Sequence, residues 1–153
     1  MRTLSEIEVV GVVGAGTMGN GIAQVAASAG YDVVMRDVER EYVERGLDSV
    51  EDSLDRLAGK GALDEDPEAV RDRITGTTAL DDLADADLVV EAVIEDLEVK
   101  RDVFGDLDRV TDDDVVLATN TSTLSITTIA SATDRASDVV GLHFMNPVPI
   151  MDG

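Results

Sequence analysis

Three glycines, Gly14-x-Gly16-x-x-Gly19, stand between an apolar run from Ile7 to Val13 and a small-residue segment from Thr17 to Ala29, and Asp37 lies 23 residues beyond Gly14. That order and spacing suits a dinucleotide. Gly14 permits the tight turn, Gly16 lets the backbone approach a pyrophosphate, and Gly19 lets the helix pack closely on the strand. Ala15, Thr17 and Met18 complete the turn, whose free N–H groups and positive helix end face the diphosphate. Asp37 closes the next apolar run, where its carboxylate would accept the adenosine ribose hydroxyls. Arg36 beside it could pair with a 2′-phosphate, but Asp37 would repel that group and lose its hydroxyl partners. NAD is therefore expected over NADP. A glycine-rich turn of some other α/β protein is the bland alternative; strand, helix, spacing and acid together favour the cofactor.

The elements that must position these residues are legible from periodicity. Ile7 to Val13 reads as a β-branched strand buried on both faces, and Thr17 to Ala29 as a helix with Gly30 as its natural stop. Tyr31 to Arg36 is the second strand. From about Glu39 to Lys60, Val43, Leu47, Val50, Leu54 and Leu57 recur at helical spacing. A polar turn leads to a short helix from Pro67 through Arg73, then a weak strand from Ile74 to Ala79. Asp87 to Val93 is a strand, Leu97 to Val110 a charged helix, Val115 to Thr119 a strand, Ser125 to Ser131 a short helix and Val139 to Leu142 a last strand. Six strands separated by helices or tight turns give an α/β fold, a mainly parallel, doubly wound sheet of Rossmann type, with residues 1–153 as one domain.

Composition narrows the setting. The chain has 153 residues, no Cys, 44% hydrophobic and 3% aromatic residues, so the core must rest on Val, Leu, Ile and Ala. No run approaches the ~20 apolar residues that cross a bilayer, no secretory signal is visible, and no metal is called for. A cytoplasmic setting is the simplest expectation. The charge is extreme: 33 acids, 22 of them aspartate, against 12 basic residues give net −21. Such self-repulsion is relieved by salt, and the acids are spread along the chain, so the composition resembles that of proteins from salt-accumulating halophiles. Nucleic acid and anionic membranes are poor partners for it.

Four strings then narrow the reading further. Gly-Ala-Gly-Thr-Met-Gly-Asn-Gly-Ile-Ala (14–23), Glu-Ala-Val-Ile-Glu (91–95), Thr-Asn-Thr-Ser-Thr-Leu-Ser-Ile (119–126) and Gly-Leu-His-Phe-Met-Asn-Pro-Val-Pro (141–149) stand in this order. Together they closely resemble the NAD-binding domain of the L-3-hydroxyacyl-CoA dehydrogenases, 3-hydroxybutyryl-CoA dehydrogenases included, over nearly the whole chain. The resemblance implies oxidation of an acyl-CoA 3-hydroxyl with hydride passed to NAD. His143 takes the position of the family's general base, a role that imidazole suits because its pKa lies near neutrality. Ser122 matches the serine that binds the substrate oxygen near the nicotinamide, and Asn146 an asparagine at the nicotinamide side. Glu95 and Lys100 match NAD-contacting positions, and Ser53 and Lys60 match positions that bind the CoA moiety.

Each has a plainer alternative: a lone structural histidine, a helix cap for Ser122, a turn former for Asn146, a solvated surface pair for Glu95 and Lys100. Lys60 and Lys100 are the only lysines, and both fall at family lysine positions. The family's glutamate partner of the histidine would fall at position 155, past Gly153, and a helical second domain with the acyl pocket and the homodimer contacts would lie beyond it. The expectation is a cofactor half with weak turnover by itself. A related dehydrogenase of a small hydroxy acid and a non-catalytic NAD-binding module are the competing readings.

Overall fold

The computed structural model describes residues 6–63, 65–92, 97–119, 133 and 139–141. The elements run β1 (Val9–Val13), α1 (Thr17–Ser28), β2 (Asp32–Arg36), α2 (Arg40–Gly59), α3 (Pro67–Arg71), β3 (Ile74–Thr77), β4 (Leu88–Glu91), α4 (Leu97–Val110), β5 (Val116–Thr119) and β6 (Val139–Gly141). The six strands form one sheet in the order β3-β2-β1-β4-β5-β6, and every pairing is parallel. The order reverses between β1 and β4. That is the switch point beside which open α/β sheets take ligands, at the carboxyl ends of their strands.

Each face of the sheet carries its own apolar layer. Alternation sends Val10 and Val12 of β1 to one side, where they meet Ile22, Ala23 and Ala27 of α1 and Val43, Leu47, Val50 and Leu54 of α2. Val13, Val89 and Leu117 point the other way, against Phe104 and Leu107 of α4. Parallel strands covered on both faces are expected to read as unbroken β-branched runs, and β1 is Val-Val-Gly-Val-Val.

The strands begin and end inside the expected limits, for identifiable reasons. β1 starts at Val9 rather than Ile7 because the Asp87 carboxylate accepts the Glu8 and Val9 N–H groups, both at 2.9 Å. The helix from Pro67 stops at Arg71 rather than Arg73, since the Arg73 carbonyl accepts from Val33 at the start of β3. A 3₁₀ turn at Leu80–Leu83, which periodicity did not reveal, buries Leu83 against Phe104's layer. Helix α4 has the expected limits, and Gly30 follows α1 at φ +100°. The short helix expected at Ser125 to Ser131 lies outside the described residues. Among the described residues no helix is long and apolar enough to cross a membrane.

Candidate functional site

The turn after β1 is fixed from several directions. Gly14, at φ +108°, donates its N–H to the Arg36 carbonyl at 2.7 Å. The next amide, Ala15, donates to Asp37 Oδ2 at 2.9 Å, while Asp37 Oδ1 accepts from Val38 at 2.7 Å. Thus the acid at the end of β2 holds the turn at the end of β1. A carboxylate offers about four lone-pair sites, so acceptor capacity remains for hydroxyls. Asn20 Nδ2 secures the turn from inside α1, donating to the Gly16 carbonyl at 2.6 Å.

The glycines behave as their spacing implies. A Cβ on Gly19 would fall 1.7 Å from the Gly14 carbonyl oxygen, so the first turn of α1 packs against β1 only without a side chain. A Cβ on Gly16 would meet nothing within 4 Å, so this position faces open space. No acid stands in the first turn of α1, so its positive end is unopposed by carboxylates of that turn. Thr17 is exposed and Met18 half-buried beside it.

A cleft of about 420 Å³ opens above this turn, lined among others by Gly14, Gly16, Asp37, Val38, Tyr42 and Val99. Among the described residues the exposed large apolar side chains are Val38, Tyr42 and Val99, at 63%, 42% and 38%, and all three line this cleft. Two come from the start of α2 and the loop before it, the third from the first turn of α4, so the lips face one another across the sheet edge. A flat ring whose faces stack on apolar side chains would cover them. Sequence reasoning missed these lips, although Tyr42 lies off the Val43-Leu47-Val50-Leu54 stripe and so left a signal. Arg36 lines the cleft as well, its Nε anchored on the Thr78 carbonyl at 3.1 Å.

Glycine 46 was also missed. It lies on the buried side of α2, where a Cβ would stand 2.7 Å from the Ala15 carbonyl oxygen. Helix α2 therefore braces the phosphate-type turn directly.

Lys100 departs from expectation. Its side chain is 1% exposed rather than a solvated surface group, and its Nζ donates to Glu91 Oε2 at 2.7 Å. Thr119 donates its hydroxyl to Glu91 Oε1. The physical reason is the position of Glu91: it ends β4 with no exposure, and a buried carboxylate needs a cation and donors around it. Among the described residues its partner is Glu91, and Glu95 lies outside them.

Ser53 is half-buried and Lys60 exposed at the end of α2, seven residues apart on one helical face. Neither lines the cleft. Eighteen residues separate Tyr42 from Lys60, roughly 27 Å of helix at 1.5 Å per residue, so the two ends of α2 serve different places. Glu95, Ser122, His143 and Asn146 lie outside the described residues.

Residues 9–152 match the family model described as 3-hydroxyacyl-CoA dehydrogenase, NAD binding domain. The chain is 50% identical over 141 residues to a probable 3-hydroxybutyryl-CoA dehydrogenase of Deinococcus radiodurans, covering 92% of this chain and 51% of that protein. It is 41% identical over 153 residues to the mitochondrial hydroxyacyl-coenzyme A dehydrogenase of Rattus norvegicus, covering 95% and 48%. The crystal structure of (S)-3-hydroxybutyryl-CoA dehydrogenase from Ralstonia eutropha superposes with a TM-score of 0.91 at 46% identity, over 95% of this chain and 52% of that one. The chain thus spans about half the length of the curated relatives it matches.

Proposed function

The chain belongs to the 3-hydroxyacyl-CoA dehydrogenase family as its NAD-binding domain, and from that premise we propose that it is the cofactor half of an enzyme oxidising (S)-3-hydroxyacyl-CoA to 3-oxoacyl-CoA. The observation that carries the reading is the bond from the Ala15 amide to Asp37, which joins a phosphate-type turn to a ribose acceptor beneath an apolar-lipped cleft. Gly14, Ala15, Gly16, Thr17, Met18 and Gly19 receive the pyrophosphate, Asp37 the adenosine ribose, and Val38, Tyr42 and Val99 the adenine.

Bound NAD supplies the hydride acceptor. The remaining work falls to side chains of this chain. His143 takes the proton from the substrate 3-hydroxyl as hydride leaves the same carbon, which requires a base with pKa near neutrality. Ser122 hydrogen-bonds the substrate oxygen, and Asn146 and Glu95 hold the nicotinamide side. Ser53 and Lys60 bind the CoA moiety, for which a lysine point charge on a flexible stem is suited. The net charge of −21 is read as a surface adapted to high salt.

Three measurements test this. NADH fluorescence titrated with the chain in molar KCl should show saturable binding, and its absence would overturn the cofactor reading. In the enzyme that carries this domain, NADH oxidation by acetoacetyl-CoA should be abolished by His143→Ala, and undiminished turnover would overturn the mechanism. A Lys60→Ala variant whose KM for the CoA ester is unchanged would point instead to a small hydroxy acid.

A further inference from the structure

Arg36 is the one basic side chain among the described residues that line the cleft. Its backbone is committed to the phosphate-type turn, since its carbonyl accepts the Gly14 amide at 2.7 Å. Its side chain is not. Nε donates to the Thr78 carbonyl at 3.1 Å, which leaves the two Nη groups for a ligand. The carboxylate next to it in the chain is occupied elsewhere, because Asp37 accepts the Ala15 and Val38 amides. Among the described residues no carboxylate stands within ion-pair distance of Arg36, in a chain of 33 acids.

Strand alternation sets the direction of this guanidinium. Val33 and Met35 belong to the layer under α1 and α2, whereas Val34 packs with the α4 layer, and Arg36 follows Val34. It therefore rises on the sheet face that carries Val99 and Val103 of α4, its companions in the cleft. Thr78 follows β3, which flanks β2 on the side away from β1. The Nε bond thus draws the group outward, past Asp37 and away from the glycine turn.

Three parts of a dinucleotide attract a guanidinium. The pyrophosphate belongs to the turn after β1, on the other side of Asp37. A 2′-phosphate would lie against the Asp37 carboxylate. The adenine remains, and its place is the outer cleft beyond the ribose. A guanidinium is planar, weakly hydrated and stacks well on aromatic faces. In molar salt the screening length falls to about 3 Å, which weakens an exposed phosphate pair, while stacked rings keep their dispersion contacts.

We propose that Arg36 is an adenine platform: its guanidinium, anchored on the Thr78 carbonyl, stacks flat on the purine and sets the affinity for the adenosine half of the cofactor. The inference rests on the cofactor reading above.

The test uses the 153-residue chain in molar KCl, titrated with NADH, NADPH and AMP. Arg36→Ala should bind NADH and AMP more weakly by about fivefold or more. Arg36→Lys keeps the charge and a donor for Thr78 but loses the plane, so it should remain as weak as Arg36→Ala within about twofold. A merely structural anchor would recover NADH affinity together with Tm in Arg36→Lys. In the parent, NAD should move the NMR signals of the Arg36 Nε–H and Cδ protons upfield, as protons over a ring move, and this measurement needs no variant to fold. Three results would each overturn the inference: undiminished NADH affinity in either folded variant, a loss confined to NADPH, or a downfield or absent shift in the parent. A parent chain that does not bind NADH overturns the cofactor reading instead.

Discussion

The carboxylate of Asp37 accepts the Ala15 amide at 2.9 Å, so the residue expected to grip the ribose also holds the turn expected to grip the pyrophosphate. In the dinucleotide fingerprint the glycine turn and the acid have separate tasks. Here they share one side chain.

Substitutions at position 37 should therefore do more than remove a ribose contact. Asp37→Asn keeps an acceptor for the Ala15 amide but loses the charge, while Asp37→Ala loses both. Hydrogen bonds to charged groups contribute roughly 1.5–3 kcal/mol, so NADH affinity should fall about 10- to 100-fold in Asp37→Ala and less in Asp37→Asn. Calorimetric titration with NADH and with pyrophosphate separates the two roles. Loss of pyrophosphate binding in Asp37→Ala but not in Asp37→Asn is the expected pattern.

Gly46→Ala offers a test by sign. Within a helix, glycine to alanine ordinarily stabilises by about 1 kcal/mol. At Gly46 the new methyl would lie 2.7 Å from the Ala15 carbonyl oxygen and 3.0 Å from Met35 Cε. Overpacking of that kind costs about 1–3 kcal/mol, so Tm should fall by about 3–10 °C for a domain of this size. NADH binding should weaken as the turn is displaced. A raised Tm would show that α2 yields instead of the turn.

Folding should depend on salt. With 33 acids against 12 basic residues, repulsion between exposed carboxylates opposes the compact state until counterions screen it. Far-UV circular dichroism on dilution from molar KCl should show loss of helix, reversed on restoring salt. Equal stability in low-salt buffer would count against the salt-adapted reading.

Glu65 gives a prediction for pH. Its two oxygens meet the Arg73 guanidinium at 2.9 and 2.5 Å, and that bond holds its carboxyl below the ordinary value of 4.5. Arg73 in turn donates to the Ala27 carbonyl at 2.8 Å, tying this pair to the end of α1. A depressed carboxylate stabilises the fold above its unfolded pKa, and the contribution is lost as pH falls through the folded one. In molar salt the parent should unfold later than Glu65→Gln at neutral pH, and the gap should close as pH drops below 4.5. A gap that persists in acid would mean the pair acts through packing and not charge.

Much of this was legible in the residues, because the features concerned are local. The strand–turn–helix–strand–acid unit repeats what short-range sterics and hydrogen bonding require, and Gly14, Gly19 and Asp37 stand where their spacing implied. The amphipathic stripe of α2 predicted four of its buried residues, Val43, Leu47, Val50 and Leu54, while Leu57 of that stripe is half-buried. What escaped notice depends on contacts far apart in sequence. Asp87 binds backbone 78 and 79 residues away, Gly46 owes its identity to Ala15, and Glu91 takes donors from both Lys100 and Thr119. Lys100 shows the limit most clearly, since charge and spacing alone gave no reason to bury it.

The depth of Lys100 has a practical chemical consequence. The chain holds two lysines, one sealed at 1% exposure and the other, Lys60, exposed at the far end of α2. Toward acylating or aldehyde reagents the folded domain therefore offers a single accessible side-chain amine. With the α-amine blocked, a fluorescent active ester would report from Lys60, nearly the whole length of α2 away from the cleft lips, while modification at Lys100 would serve as a direct measure of unfolding.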